Sequence, residues 1–343
     1  MSAACLILRK AARIGLLFTL ACGGSAWADS IASYVHNETT GRPSVGDRVV
    51  LLLSAHGLEQ ESDTTTDDKG SFTLPVRLPG AQYVIRVVHG NVNYDLPWSH
   101  GTVPQIKVCD AVPSASGLTG YATLVKVESD GKNYTVTELH AIDNESKPPR
   151  TQAGPSNLEI YLPPKAEIVS AMAAGPQGPA VGIAPVPNGK EPGRYAIGFP
   201  LRPGMTRYAI RYRVTLSDRL VFHLRLNYPT KQVSVVIPKS MRFTALDKRG
   251  FHRIIDRDGV QVEVLNEAKA GRLPAFSVYG SGRLPEIRNA IAGTKELPAV
   301  GKNYHVNGQD ALAANSLPAA TGRITLWLLF IIFVVIGVGM FLV

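Results

Sequence analysis

The sequence predicts a mainly-β protein, with tandem β-sandwich domains followed by one C-terminal transmembrane helix. Three observations predict it. Short apolar runs alternate with turn residues in a chain that holds 32 glycines and 24 prolines, a pattern of many strands rather than long helices. The 343 residues suffice for two domains that each bury a core. The chain closes on Ile324 to Val343, a run of 20 residues without charge or proline; at about 1.5 Å per residue it spans roughly 30 Å, the thickness of a hydrocarbon core.

The N-terminus predicts export. Arg9, Lys10 and Arg13 form a basic region, Ile14 to Cys22 an apolar one, and Ala26-Trp27-Ala28 matches a small-x-small cleavage site, so residues 1–28 read as a signal peptide and Asp29 as the mature start. Lipid attachment at Cys22 is disfavoured, because Thr19 stands where a large aliphatic residue is expected. At the other end Asn315-Ser316 resembles a lipid-anchor attachment signal. Leu317 to Gly322 resembles a sortase signal with one residue too many. A plain membrane anchor at 324–343 ranks above both, with the bulk of the chain outside the cytoplasm, periplasmic or at the cell surface.

The net charge is +9, of which the leader supplies three. The rest is uneven: −4 over 29–110, +7 over 118–245 and +3 over 246–323. The basic middle section suits an anionic partner. Outside the leader only Cys109 remains, which excludes an internal disulfide and a multi-cysteine metal site. The expectation for Cys109 is a buried small hydrophobe.

Along the chain, Val49 to Leu53 is a continuous apolar run, as in a core strand. Thr64 to Thr66 and Ser71 to Val76 flank Asp67-Asp68-Lys69-Gly70, read as a hairpin turn in which Gly70 supplies the positive φ. Tyr83 to His89 and Gln105 to Cys109 follow as strands. The order Thr39-Thr40-Gly41-Arg42-Pro43, apolar strand, Thr66 to Phe72, then Tyr83-x-Ile85-x-Val87 resembles the carboxypeptidase regulatory-like domain. The resemblance covers about residues 30–110 and departs at the start, where Ala32-Ser33 replaces the usual glycine. It implies a small transthyretin-like β-sandwich over 29–112, without catalytic residues of its own, of a kind found as an accessory module on exported proteins.

Residues 117–245 read as a second, transthyretin-like or Ig-like sandwich, with strands at 122–127, 134–139, 158–162, 195–199, 207–216, 220–227 and 232–237 and a long Gly/Pro-rich loop over 174–194. Residues 246–285 read as a further small β unit with a turn at Asp256 to Gly259, and 286–323 as a flexible stalk.

One pair of strands supplies the expected site. Tyr208, Ile210, Tyr212, Val214 and Leu216 alternate with Arg207, Ala209, Arg211, Arg213 and Thr215; Leu220, Phe222, Leu224 and Leu226 alternate with Val221, His223, Arg225 and Asn227. Each strand therefore has one apolar and one polar face. Paired as a hairpin through Leu216 and Leu220, they set Arg213 against His223 and Arg211 against Arg225, where like charges repel. A solvated outer face accounts for such residues; the sharper expectation is a patch for an anionic glycan or lipid headgroup. Trp98, with Tyr94 and His100 nearby, offers either a sugar-stacking ring or a rim residue of the first core.

No catalytic constellation is legible. The eight histidines form no HExxH or Cys-x-x-Cys-His pattern, and the two Asp-rich turns lack the ligand count of a calcium loop. No metal, cofactor or nucleic acid is expected. The sequence points to a non-enzymatic envelope protein, either a binding module for an anionic glycan or protein, or an accessory subunit of an envelope enzyme or transport complex; an enzyme of unrecognised chemistry is the competing class.

Overall fold

The structure is a computed structural model, and it describes residues 30–285 apart from 55–56, 177, 190, 216–218, 248–249 and 258. The expected signal peptide, stalk and transmembrane helix lie outside the described residues. Within them the chain is all β, and no helix there is long and apolar enough to cross a membrane.

The first half contains β1 (Ser30–Asn37), β2 (Arg42–Pro43), β3 (Arg48–Leu53), β4 (Glu59–Thr65), β5 (Ser71–Pro75), β6 (Tyr83–His89), β7 (Val92–Trp98) and β8 (Ile106–Val108). One sheet runs β2-β1-β5 with β8 parallel to β1, the other β4-β3-β6-β7. The sheets share a core of Ile31, Val35, Val49, Leu51, Phe72, Leu74, Ile85 and Val87. The unbroken apolar run of β3 has a cause on each side: Val49 and Leu51 face this core, while Val50 and Leu52 pack with Val84 and Leu58 on the outer face.

The Asp67–Gly70 turn forms, and Asp67 Oδ1 accepts the Lys69 and Ser71 amides at 2.9 and 2.7 Å. It does not close a hairpin ladder, because β4 belongs to one sheet and β5 to the other; the turn carries the chain across the sandwich. Gly70 has φ +74° and a Cβ there would stand 2.5 Å from the Val35 carbonyl oxygen. Gly70→Ala should therefore cost more than about 2 kcal/mol, backbone strain and collision together. Gly46→Ala, at φ +77° with nothing within 4 Å, should cost about half as much, and urea unfolding of the two variants compares them.

The second half holds β9 (Ala111–Val112), β10 (Leu118–Ser129), β11 (Asn133–Asn144), β12 (Thr151–Gln152), β13 (Leu158–Tyr161), β14 (Glu167–Ala174), β15 (Val181–Gly182), β16 (Val186–Pro187), β17 (Arg194–Ile197), β18 (Gly204–Thr215), β19 (Leu220–His223), β20 (Thr230–Pro238), β21 (Arg242–Ala245), β22 (His252–Arg257), β23 (Val260–Ala268) and β24 (Ala275–Tyr279). Eight of them make one large sheet, β15-β14-β18-β11-β10-β20-β23-β22, in which β10 and β20 run parallel and all other neighbours antiparallel. The smaller sheets β13-β17-β16 and β19-β24-β21 supply the facing layer, and one core joins all three.

Two expectations are corrected here. The residues read as a separate small β unit, 246–285, instead complete both layers: β22 and β23 extend the large sheet and β24 pairs with β19 and β21. Their apolar residues Leu265, Phe276 and Val278 belong to the same core as β10 and β18. The second correction concerns the expected hairpin of 207–216 with 220–227. β18 pairs with β11 and β14, whereas β19 pairs with β24 in the opposite layer. The chain crosses the sandwich between them, so their apolar faces meet across the core rather than side by side.

The two halves are stapled. The Tyr94 hydroxyl, on β7, donates to the Cys109 carbonyl at 2.8 Å and meets Thr151 Oγ1, on β12, at 2.7 Å. The Arg202 guanidinium lies over the rings of Tyr94 and Phe199, 5.3 and 5.6 Å from their centroids, and donates to the Asn93 carbonyl. Cys109 is buried within this junction, where burial pushes its thiol up to about 11.

Candidate functional site

The crossing between β18 and β19 separates the expected site residues. Tyr208, Ile210, Tyr212 and Val214 point into the core from the large sheet, and Leu220, Phe222, Leu224 and Leu226 point into it from the other layer. The alternate residues must then face outward on opposite sides of the sandwich. Arg211 and Arg213 stand exposed on the outer face of the large sheet, and His223 stands exposed on the far side. Arg211 lies between Thr137 and Ser170, and Arg213 between Thr135 and Glu167. Neither arginine makes an ion pair with another described residue. The expected juxtapositions with His223 and Arg225 do not occur.

Arg225 is occupied elsewhere. Its Nε lies 3.0 Å from Glu159 Oε2, Nη1 donates to the Tyr161 hydroxyl at 3.1 Å, and the guanidinium sits 5.5 Å from the Tyr161 ring centroid. Arg194 binds the other side of the same carboxylate at 3.0 Å. Burial pushes the Glu159 carboxyl up, but the hydrogen bonds from Arg194 and Ser156 and the charges of Arg194 and Arg225 outweigh it and hold the group below its ordinary range. Arg225 thus serves a local ion-pair network. Trp98 ends β7 half-buried, its ring 6.0 Å from that of Tyr83 and its Nε1 donating to the Gly101 carbonyl at 2.9 Å. It packs against the first core, as a rim residue.

The structure also assembles a polar cluster that sequence reading missed. Even-numbered residues of β11 face the core, and two of them are Glu138 and His140, 1% and 5% exposed. Glu138 Oε1 accepts from the Tyr212 hydroxyl at 2.6 Å, and Glu138 Oε2 lies 3.2 Å from His140 Nε2. His140 Nδ1 lies 3.4 Å from the hydroxyl of Thr123, its cross-strand partner. Burial, then the charge of Glu138 and the hydrogen bond to it, push the Tyr212 phenol well above its ordinary value. The signal was present in the sequence: Glu138 and His140 share parity with Tyr134, Val136 and Ile142, so two polar residues fall on the apolar face.

A cavity of about 10 Å³ adjoins the cluster, lined among others by Thr123, His140, Leu158, Arg225, Tyr228 and Thr230. That volume admits one water molecule. A hydroxyl, an imidazole and a carboxylate in line can share a proton, and here they form a polar bridge inside the core. Among the described residues no group of three or more His, Cys, Asp or Glu side chains is placed to hold a metal ion.

No protein-family model matches the chain, and no curated protein matches it. Among solved structures it is similar to an M1 zinc metallopeptidase from Deinococcus radiodurans, at 14% identity and TM-score 0.28, over 48% of this chain and 42% of that one. A variant of a two-domain M1 zinc metallopeptidase bound to L-tryptophan matches at 14% identity and TM-score 0.27, over 49% and 44%. The chain thus spans less than half the length of these proteins, and TM-scores this far below 0.5 carry no inference about fold or activity.

Proposed function

We propose that the chain is a non-enzymatic, membrane-anchored, extracytoplasmic binding or assembly protein of a bacterial envelope, and that it meets an anionic partner on the outer face of its large sheet. The observation that carries the reading is the pair of exposed guanidiniums, Arg211 and Arg213, without ion pairs among the described residues. Two residues apart on one strand, they project from the same face roughly 7 Å apart. Thr135, Thr137 and Ser170 border them with short polar side chains, and the exposed Glu167 stands beside Arg213 without an ion pair to it, so the approach for a partner's acidic groups is most open at Arg211. An acidic glycan fits this face.

The two termini support the location, through the leader-like first 28 residues and the apolar last 20. The first sandwich is read as an accessory module of the carboxypeptidase regulatory-like kind, on the strand order and turn residues given above. His223, Arg225 and Trp98 leave this binding face: two lie on the other side of the sandwich and the third in the rim of the first core.

The test is binding of the full chain in detergent to an acidic polysaccharide and to its neutral counterpart. Arg211→Ala/Arg213→Ala should weaken acidic binding by about tenfold, roughly 1.4 kcal/mol, and reduce its salt dependence. Arg225→Ala should leave the affinity unchanged. Equal binding by wild type and the double variant would sink the proposal.

A further inference from the structure

At the joint between the two sandwiches one histidine is held by two carboxylates. His89 is the last residue of β6. Its Nδ1 lies 2.9 and 3.1 Å from the two carboxylate oxygens of Asp47, which precedes β3. Its Nε2 lies 3.2 Å from Oδ1 of Asp110, in the segment that leads into the second sandwich. Ser44 Oγ donates to Asp47 Oδ2 at 2.6 Å, and Asn37 Nδ2 donates to Asp110 Oδ1 at 2.7 Å. A neutral imidazole carries one N–H and would turn a lone pair toward one of the carboxylates. Only the imidazolium can donate to both.

Asp110 is itself bound to both halves of the molecule. Its amide donates to Thr39 Oγ1 at 2.9 Å, and its carbonyl accepts the Thr151 amide at 3.0 Å. The Thr39 hydroxyl in turn donates to the Pro149 carbonyl at 2.5 Å. Arg150 is the charge of the second sandwich that acts on Asp110. The charged groups around His89 are therefore Asp47, Asp110 and, beyond Asp110, Arg150, with Ser44 and Asn37 as neutral partners.

We propose that His89 is a pH-dependent latch on the joint between the sandwiches. As an imidazolium it ties Asp110 to Asp47 of the first sandwich; when it loses a proton to solvent, one of the two bonds is lost and the hold on the linker segment weakens. The hydrogen bond to Asp47, against the effect of burial, holds His89 above its ordinary value, with Asp110 adding to the rise. The hydrogen bond from Asn37, against burial, and then His89 hold Asp110 below its ordinary value. The latch therefore contributes fully below the unfolded histidine value of about 6.5 and is lost as pH rises through the raised folded value. At the acid end the bond to Asp110 is lost as pH falls through the lowered Asp110 value.

Hydrogen–deuterium exchange of the full chain in detergent, corrected for the intrinsic pH dependence of exchange, tests this. Between pH 6 and pH 9 the peptides containing the Asp110 and Thr151 amides should lose protection by about tenfold. Peptides from the centre of the large sheet should not change. In His89→Gln, which cannot titrate, the response at the joint should disappear. Should that variant fail to fold, Asp110→Asn, which keeps an acceptor and removes the charge, should flatten the response instead. A wild-type-like pH response in whichever variant folds, or a loosening spread evenly over the first sandwich, would overturn the proposal.

Discussion

Phe276→Ala is expected to destabilise the second sandwich by about 3–5 kcal/mol. Phe276 is fully buried on β24 and is the hub of an aromatic cluster. It stacks on Phe222 at 4.6 Å and 13°, and on Phe243 at 5.3 Å and 26°, and meets Phe251 edge-on at 5.7 Å. These rings come from β19, β21, β24 and the segment before β22, so removing the hub opens a hole among elements that cannot close together on it. Phe276→Leu refills part of the volume and should lose markedly less. Urea unfolding followed by circular dichroism compares the two. A loss below about 1 kcal/mol for the alanine variant would mean that the cluster collapses to fill the gap, against the close packing described here.

A loss of similar size is expected for Glu138→Ala, about 3–5 kcal/mol, because it strips a buried network of its central carboxyl group and leaves the Tyr212 hydroxyl without its acceptor. The Tyr212 hydroxyl loses its acceptor at 2.6 Å, and His140 loses the carboxylate at 3.2 Å. The informative comparison is the triple replacement Glu138→Leu/His140→Leu/Tyr212→Phe, which removes every member of the network and fills the space with carbon. It should recover most of the stability lost in the single variant, since a buried polar group is costly chiefly when its partner is gone. If the triple variant is no more stable than Glu138→Ala, the cluster contributes through its own geometry and not merely by being satisfied.

Much of the strand pattern was legible in the sequence, while the pairing was not. The alternation at 208–214 and 220–226 correctly divides core from surface. Yet the same alternation arises whether two strands lie side by side in one sheet or face each other across a core. Which strands become neighbours decides between these, and side-chain periodicity does not encode it. The Asp67–Gly70 turn shows the same ambiguity, since its residues specify a tight reversal but not which sheet receives the next strand. The unit expected over 246–285 failed for a related reason: its strands are ordinary, and that they complete a sheet begun at residue 118 is a property of distant partners. Arg211 and Arg213 were legible as outward-facing, whereas Arg225, expected opposite Arg211, pairs with Glu159, some 66 positions away and not visible to local reading. The His89 latch was not legible at all, as its three charged members come from positions 47, 89 and 110.

The parallel pairing of β10 with β20 sets the timing of folding. Thr123 pairs with Val233, so the centre of the large sheet closes only after more than a hundred intervening residues are in place, a long-range contact of the kind that slows folding. The first sandwich can be complete once residue 108 has emerged. β10 and β11 can pair soon after 144, but one edge of β10 then stays open until residues 230–238 arrive. During that interval the molecule presents a twelve-residue strand edge to other chains, and a chain interrupted before residue 230 would keep it open. Aggregation of such fragments through β10 is the hazard this topology builds in.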